Sequence, residues 1–260
     1  MTPAINDCIT IITPTYNCGR FIAKTIDSVL SQTYQNWEMI IVDDCSTDDT
    51  QSIVEGYDDS RIRYHRLDKN SGAAVARNKA LSLAKGRWIA FLDSDDLWLP
   101  DKLERQLNFM TKNGIAFSYH EYSEISESGV ELGVRVSGME KVNKFQMFSC
   151  CWPGCLSVMY DTQKIGLIQI NDIKKNNDSA LWLKVVKKAP CYLLKENLAF
   201  YRRRKGSITP PGILKRIWAH YPLFRIAEEM NPITATFWTI SNVFGNTYKK
   251  LFFVKKYIPH

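Results

Sequence analysis

No Cys-x-x-Cys pair occurs in this 260-residue chain, and its seven cysteines (8, 18, 45, 150, 151, 155 and 191) are an odd number accompanied by only four histidines. Neither a disulfide framework nor a zinc site is indicated, and most of the thiols read as small core residues in a reducing compartment. The opening MTPAINDC lacks the basic stretch and apolar run of a secretory signal, which predicts a cytoplasmic chain. No apolar run is long enough to cross a bilayer, which takes roughly 20 residues. The longest uncharged stretch, Met230 to Tyr248, is broken by Pro232, Gly245, three asparagines and several hydroxyl residues. It reads as interfacial or packed. The first apolar run is followed by TPTYNCGRF and not by Gly-x-Gly-x-x-Gly, which argues against dinucleotide redox chemistry. No helix-turn-helix, RRM or KH pattern is visible, so no nucleic-acid partner is expected.

What is present is ordinary globular composition, 45% hydrophobic and 23% charged, in a length that suits one large domain or a domain with an appendage. No internal repeat or low-complexity segment occurs. The net charge of +7 is unevenly placed: residues 202–260 carry eleven Lys/Arg against two acids, leaving residues 1–201 at −2. A near-neutral body with a basic, aromatic tail predicts that one part does chemistry while the other meets something anionic, the alternative being a merely solvated tail.

From residue 8 to about 119, short apolar runs alternate with amphipathic segments, as in a βαβ parallel sheet. The strands expected are Cys8–Thr13, Trp37–Val42, Ile62–Leu67, Arg87–Leu92 and Ile115–Tyr119, with helices over Phe21–Gln32 and Ala73–Lys85. Ser46-Thr-Asp-Asp49 reads as a capping box opening another helix, and Pro100 as the first turn of one running to about Lys112. Further on, 121–138 predicts a hairpin or loop, Cys150–Tyr160 a strand region, Asp178–Lys188 a helix and Cys191–Arg203 a strand pair. Residues 213–230 and 232–256 predict two aromatic-rich helices.

Ligands of an open parallel sheet bind beyond the carboxyl ends of its strands. Those ends are Thr13-Pro-Thr-Tyr-Asn17, Asp43-Asp44 and Asp93-Ser-Asp-Asp96, a rim of carboxylates that would repel one another unless cations or donors occupy it. Asp48 and Asp49 read equally well as ordinary helix-start residues. Asp93 and Asp95, at spacing i, i+2 after a wholly apolar strand end, share one side of an extended segment. Such a pair suits one Mg²⁺ or Mn²⁺ that also holds a diphosphate. A carboxylate in Asp43-Asp44 suits the N3–H of uracil.

The runs TPTYN (13–17), VDDCSTDDT (42–50), NSGAAVARNKAL (70–81) and FLDSDD (91–96) strongly resemble the PxYN, VDDgStDxT, NxGxxxARNxG and DxD-type motifs of family 2 glycosyltransferases. The likeness is sharpest over residues 8–112. It extends to Asn177-Asp178-Ser-Ala-Leu-Trp182, similar to Glu-Asp-x-x-Leu-Trp, and to Tyr201-Arg-Arg-Arg-Lys-Gly-Ser-Ile-Thr209, similar to YRxHxxSxS.

The resemblance implies an α/β GT-A fold, Rossmann-like, with a mainly parallel central sheet flanked by helices and a C-terminal helical extension. Residues 1–120 would bind the nucleotide sugar, 121–210 the acceptor, and 211–260 would form the basic, aromatic extension. It further implies an inverting, metal-dependent transfer from a UDP-sugar to a saccharide or lipid-linked acceptor in bacterial surface polysaccharide or lipopolysaccharide assembly. Pro14, Tyr16 and Asp44 would line the uridine with Asp43 beside it, Arg77 would hold the nucleotide or its diphosphate, and Asp93 and Ser94 would contact the donor. Asp95, with Asp93, would ligate Mn²⁺ or Mg²⁺, and Asp178 would be the base. Two departures stand out: Asn177 replaces the usual Glu, and Arg204 stands where His is common.

Asp178 opens a helix whose dipole favours a charged carboxylate, unless Asn177 or Asp178 serves simply as the cap. Arg202 to Lys205 are candidates to close over the diphosphate or for a solvated strand end. Trp152-Pro153 and Trp182 are candidates to stack on sugars or to pack the core. The tail at 213–260 is a candidate for an anionic membrane surface, making the chain peripheral on the inner face of the cell membrane, or for a homo-oligomer contact. The non-enzymatic alternative is a nucleotide-sugar-binding protein that has lost activity through Asn177.

Overall fold

A computed structural model describes residues 7–173, 175–204 and 213–259. Its first half alternates strand and helix: β1 (Ile9–Thr15), α1 (Gly19–Leu30), β2 (Trp37–Asp43), α2 (Thr50–Glu55), β3 (Ile62–Arg66), α3 (Ala73–Leu83), β4 (Trp88–Phe91), β5 (Leu97–Trp98) and α4 (Lys102–Lys112). β3, β2, β1 and β4 lie side by side and parallel, with Ile9 opposite both Trp37 and Trp88. Cover on both faces explains why β1 and β2 are near-continuous apolar runs. Ile9, Ile11, Met39 and Ile41 pack to one side with α1 residues Ile22, Ile26 and Val29. Ile12, Ile40 and Val42 pack to the other with Ala76, Ala80 and Leu81 of α3.

The second half continues the same sheet: β6 (Phe117–Ile125), β7 (Glu131–Val136), β8 (Lys141–Val142), α5 (Lys144–Ser149), β9 (Met159–Asp161), α6 (Thr162–Ile165), α7 (Asn177–Val186), β10 (Cys191–Arg202), α8 (Ile213–Pro222), α9 (Pro232–Phe252) and β11 (Val254–Lys256). β9 is antiparallel to both β4 and β6 and so joins the halves. β6 forms a hairpin with β7 and runs parallel to β10.

Several sequence expectations are corrected. Cys191–Arg202 is one long strand, pairing with β5, β6 and β8, not a strand pair. Only Met159–Asp161 of the Cys150–Tyr160 region is strand, because Pro153 and Gly154 interrupt any earlier ladder. Pro100 precedes the Asp101 N-cap of α4 instead of entering its first turn. The Ser46–Asp49 capping box is not formed: α2 has Asp49 at its N-cap without a side-chain bond. The last helix stops at Phe252, and β11 covers the free edge of β7.

Trp182 is fully buried with its ring centroid 5.0 Å from that of Phe91, edge to face, and belongs to the core. Trp152 is also core. Its indole N–H donates to the Gln146 carbonyl at 3.1 Å and its ring meets Phe253 at 5.1 Å. Neither tryptophan is placed to stack on a sugar. α9 lies so close to the chain end of α5 that a Cβ at Gly245 would sit 2.0 Å from the Ser149 carbonyl oxygen, a contact open only to glycine.

Candidate active site

The carboxyl ends of β1, β2 and β4 open into a cleft of about 550 Å³. Pro14, Thr15 and Tyr16 line it from β1, Asp44 from the end of β2, Arg77 from α3, Asp93, Ser94 and Asp95 from the loop after β4, and Arg202 and Arg204 from the end of β10. The structure thus brings together the expected nucleotide-side residues, with one exception. Asp43 is fully buried and does not line the cleft. Its carboxylate accepts from the Ser46 amide (2.9 Å) and hydroxyl (2.6 Å) and from the Tyr64 hydroxyl (2.6 Å). This also explains the missing capping box, since Ser46 is turned onto Asp43. Burial, aided by that carboxylate, pushes the Tyr64 phenol well above its usual value.

Asp44, one residue on, accepts from the amides of Ser71 (2.6 Å) and Gly72 (2.7 Å) and so clamps the loop before α3 to the rim. Gly72 has φ of +93°, a conformation glycine adopts without strain. Asn17 (φ +49°), Cys45 (φ +67°) and Asn176 (φ +56°) are left-handed non-glycine residues in the loops after β1 and β2 and before α7, with Glu229 (φ +55°) a fourth outside the cleft. Such strain clusters at functional sites. Cys45 stands where the family pattern carries glycine.

Three carboxylates of the β4 loop face three arginines. Arg77 pairs with Asp93 and gives a second hydrogen bond to the Asn177 carboxamide oxygen. Burial opposes the charge of Arg77, but Asp93, with Cys155 and Asp178 behind it, more than restores it. The Asp95 carboxylate meets Arg204 Nε at 2.7 Å. Burial and neighbouring Asp93 raise its pKa against the opposing pull of Arg204. Asp96 accepts the Arg202 amide at 2.8 Å, while burial, then Asp95 and Asp93, push its carboxyl well up. Arg202 itself is committed to the framework: Nε donates to the Asp95 carbonyl (2.7 Å), and Nη1 reaches Ser126 and Glu127 in the β6–β7 turn.

Polar capacity remains unspent in the cleft. Thr15 Oγ1, Arg77 Nε and Arg202 Nη2 are buried without a hydrogen-bond partner. Unpaired buried polar atoms are rare in native proteins and call for an explanation. Two of these atoms belong to guanidiniums that line the cleft, groups that suit an anionic ligand.

A smaller cavity of about 260 Å³ adjoins, and Asp93 and Tyr201 line both. Asp178 reaches it, together with Asp96, Tyr122, Glu124 and Arg203. The N-cap of α7 is Asn176, so Asp178 is the second helical residue and Asn177 is not a cap. Asn177 is buried and held by Arg77. The sequence reading missed Tyr122 and Glu124, and grouped Arg203 with the candidates for the diphosphate, whereas it lines this second cavity. Arg203 forks onto Glu124, with Nε to Oε2 at 2.8 Å, and the Tyr122 and Tyr201 rings lie 6.1 Å apart. The i, i+2 spacing of Tyr122 and Glu124, which puts both on one face of a strand, was the available signal. Lys205 and the segment to Thr209 lie outside the described residues.

Among the described residues no three His, Cys, Asp or Glu side chains form a ready metal cage. Mg²⁺ and Mn²⁺ at nucleotide sites need only one or two carboxylates beside phosphate and water oxygens. Asp95, a hard-oxygen donor in the cleft beside Asp93, fits that requirement provided Arg204 yields its place.

Known proteins agree with this architecture. Against TarS (residues 1–349) of S. aureus, solved in complex with UDP-GlcNAc, the TM-score is 0.70 at 21% identity, covering 87% of this chain and 69% of that one. Against the mannosyltransferase PcManGT of Pyrobaculum calidifontis, in complex with GDP-Man and Mn²⁺, it is 0.63 at 17% identity, covering 91% and 69%. TuaG of Bacillus subtilis (strain 168), named for teichuronic acid biosynthesis, is 42% identical over 93% of this chain and 96% of its own. WfgD of Escherichia coli, a UDP-Glc:alpha-D-GlcNAc-diphosphoundecaprenol beta-1,3-glucosyltransferase, is 41% identical over 86% and 92%. Glycosyl transferase family 2 matches residues 10–149, and with relatives covering nearly its whole length this chain belongs to that family, as a glycosyltransferase of the GT-A fold acting in polysaccharide biosynthesis.

Proposed function

We propose that the chain moves a sugar from a UDP-sugar, with inversion, onto a hydroxyl of a saccharide or lipid-linked acceptor. The observation that carries this reading is the pair of adjoining cavities: one is lined by Arg77 and Arg204, cations that suit an anion, and the other by Asp178. Residues 1–120 supply the donor side, with Pro14, Tyr16 and Asp44 for the uridine, Ser94 and Asp93 for the donor sugar side, and Arg77 for the diphosphate. Residues 121–210 supply the acceptor side. Asp178 accepts the proton of the attacking hydroxyl, work that a positioned carboxylate contributes to catalysis. Glu124 and its partner Arg203 offer hydrogen bonds to the hydroxyls of the acceptor. Asp95, with Asp93, would hold Mn²⁺ or Mg²⁺, which when bound supplies positive charge for the departing diphosphate. Arg204, released from Asp95, then faces the same phosphates. The relative named as a UDP-Glc enzyme with a diphosphoundecaprenol acceptor supports this choice of substrates.

A UDP-sugar panel tests it. UDP release should require Mn²⁺ or Mg²⁺, favour one sugar and rise with an N-acetylglucosaminyl-diphospho-lipid acceptor. UDP-sugar binding without turnover over hours would overturn it in favour of an inactive binding protein. Asn177 gives that alternative no support here, because its side chain braces Arg77 and leaves the Asp178 carboxylate on the cavity wall.

A further inference from the structure

One face of α9 has no partner among the described residues. Asn231 caps its first turn through the Thr234 amide, Pro232 opens it, and Ala235, Thr239, Asn242 and Val243 are buried on its inner side. The outer side is a stripe of large apolar side chains: Ile233 (84% exposed), Phe237 (60%), Ile240 (43%), Phe244 (64%), Tyr248 (51%) and Leu251 (71%). Their spacing of three or four residues keeps them in line. At 1.5 Å per residue the stripe is about 27 Å long. Between Met230 and Tyr248 there is no charged residue to interrupt it.

We infer that this stripe lies on the surface of a bilayer containing anionic lipid. Two observations favour lipid over a second copy of the chain. Charge is the first: Arg225, Lys250, Lys255 and Lys256 are exposed around the stripe, whereas Glu228 is taken up by Lys187 and leaves Glu229 as the exposed acid of this region. A like-charged second copy would bring those cations together, but an anionic surface pairs them. The second is composition, since exposed aromatic and aliphatic residues flanked by lysines are the pattern of helices lying in a membrane interface. The neighbouring Trp218, 76% exposed on α8, and Ile226 extend it. No described helix is long and apolar enough to cross a membrane.

The inner side of α9 ties the stripe to the catalytic half. Lys249 turns inward and donates to the carbonyls of Cys151 (3.3 Å) and Trp152 (2.6 Å). The Ser179 hydroxyl, next to Asp178, meets the Cys151 sulfur at 3.1 Å. A bilayer under α9 therefore holds the second cavity at a set distance from lipid. Its use for a lipid-linked acceptor rests on the reaction proposed above, whereas the surface itself does not.

Co-sedimentation of the full chain with phosphatidylglycerol–phosphatidylcholine vesicles, and with phosphatidylcholine alone, tests the inference. The chain should pellet with the anionic vesicles at low salt, lose that binding as salt rises, and bind phosphatidylcholine at least tenfold more weakly. Phe237→Glu/Phe244→Glu should cut anionic-vesicle binding at least tenfold, with UDP-sugar hydrolysis unchanged as evidence of an intact fold. Phe237→Ser/Phe244→Ser serves if the charged pair does not fold. Failure to pellet at low salt, equal binding by the serine or glutamate variant, or a dimer dissolved by these substitutions would overturn it. Hydrolysis lost from the parent itself would instead strike the proposed reaction and leave the vesicle result standing.

Discussion

Arg77 ties the donor side of the site to the helix that carries Asp178, and replacing it with methionine measures that tie. Met preserves the apolar stem and roughly the packing. The guanidinium it removes is 8% exposed, and its partner Asp93 is 29% exposed. Breaking a fully buried pair by removing one partner costs about 3–5 kcal/mol. Asp93 opens on the cleft, so roughly half of that, about 2 kcal/mol, is expected from its unpaired charge. Loss of the charged donor to buried Asn177 adds about 1 kcal/mol. At about 2–4 °C per kcal/mol for a chain of this size, the melting temperature should fall by about 6–12 °C. Thermal unfolding of Arg77→Met, Asn177→Ala and the double variant then gives the coupling between them. The singles should overstate the double by at least about 0.5 kcal/mol, because they break the same bond. Asn177→Glu, the residue the family pattern carries there, should keep the bridge. A loss below about 1 kcal/mol in Arg77→Met, or additive singles, would refute the bridging role.

Asp178→Asn should leave UDP affinity near that of the parent while lowering turnover by roughly 10²–10⁴; parental turnover in a steady-state assay would remove it as the base. Asp95→Ala should abolish the gain in UDP affinity that Mn²⁺ brings, and calorimetry showing an unchanged gain would disprove the metal assignment. Lys102 lies fully buried with its ammonium 3.7 Å over the Trp98 ring and no hydrogen-bond partner, and burial holds its pKa well below 10.5. Its stability contribution is present above 10.5 and is lost as pH falls, so Lys102→Met should be more stable than the parent at pH 7 by roughly 2 kcal/mol. That gap should close as pH approaches 10.5, and a pH-independent gap in urea unfolding would contradict the reasoning.

The rim of the cleft was legible because a parallel strand writes its own end: an apolar run, then the first residues able to meet a ligand. Thr13 to Asn17, Asp43-Asp44 and Asp93 to Asp96 are all such ends. What the run does not encode is which of two adjacent carboxylates faces the cleft. Pleating separates them, so Asp44 reaches the loop at Ser71 while Asp43 is drawn inward by Ser46 and Tyr64. Contacts of long range were equally hidden. Arg77 and Asn177 are a hundred residues apart, and the Arg203–Glu124 fork needs β10 to run parallel to β6, a pairing that no hairpin turn announces. Trp152 stands in the sequence as a candidate for a sugar or for the core, and its own segment does not decide between them. Phe253, from the far end of the chain, covers it.

The pairing of Asp93 with Arg77 and of Asp95 with Arg204 has a further consequence for binding. Each of these two guanidiniums answers a carboxylate, so the two pairs are balanced without a ligand. A divalent cation arriving alone at Asp95 would displace Arg204 and leave a half-buried guanidinium unpaired. A diphosphate arriving alone would meet Arg77 and Arg204 only by loosening them from Asp93 and Asp95, whose charges would then stand exposed beside it. Arriving together, the cation takes the carboxylates and the phosphates take the arginines, and every charge again has a partner. Metal and nucleotide should therefore strengthen one another's binding, and by the same factor in both directions, since linkage is reciprocal. Arg204 in place of the family's common His sharpens this dependence: a guanidinium keeps its charge at any physiological pH and does not leave Asp95 by losing a proton. It leaves when a better cation and a better anion are offered at once, which is the exchange that the Asp95→Ala titration reads.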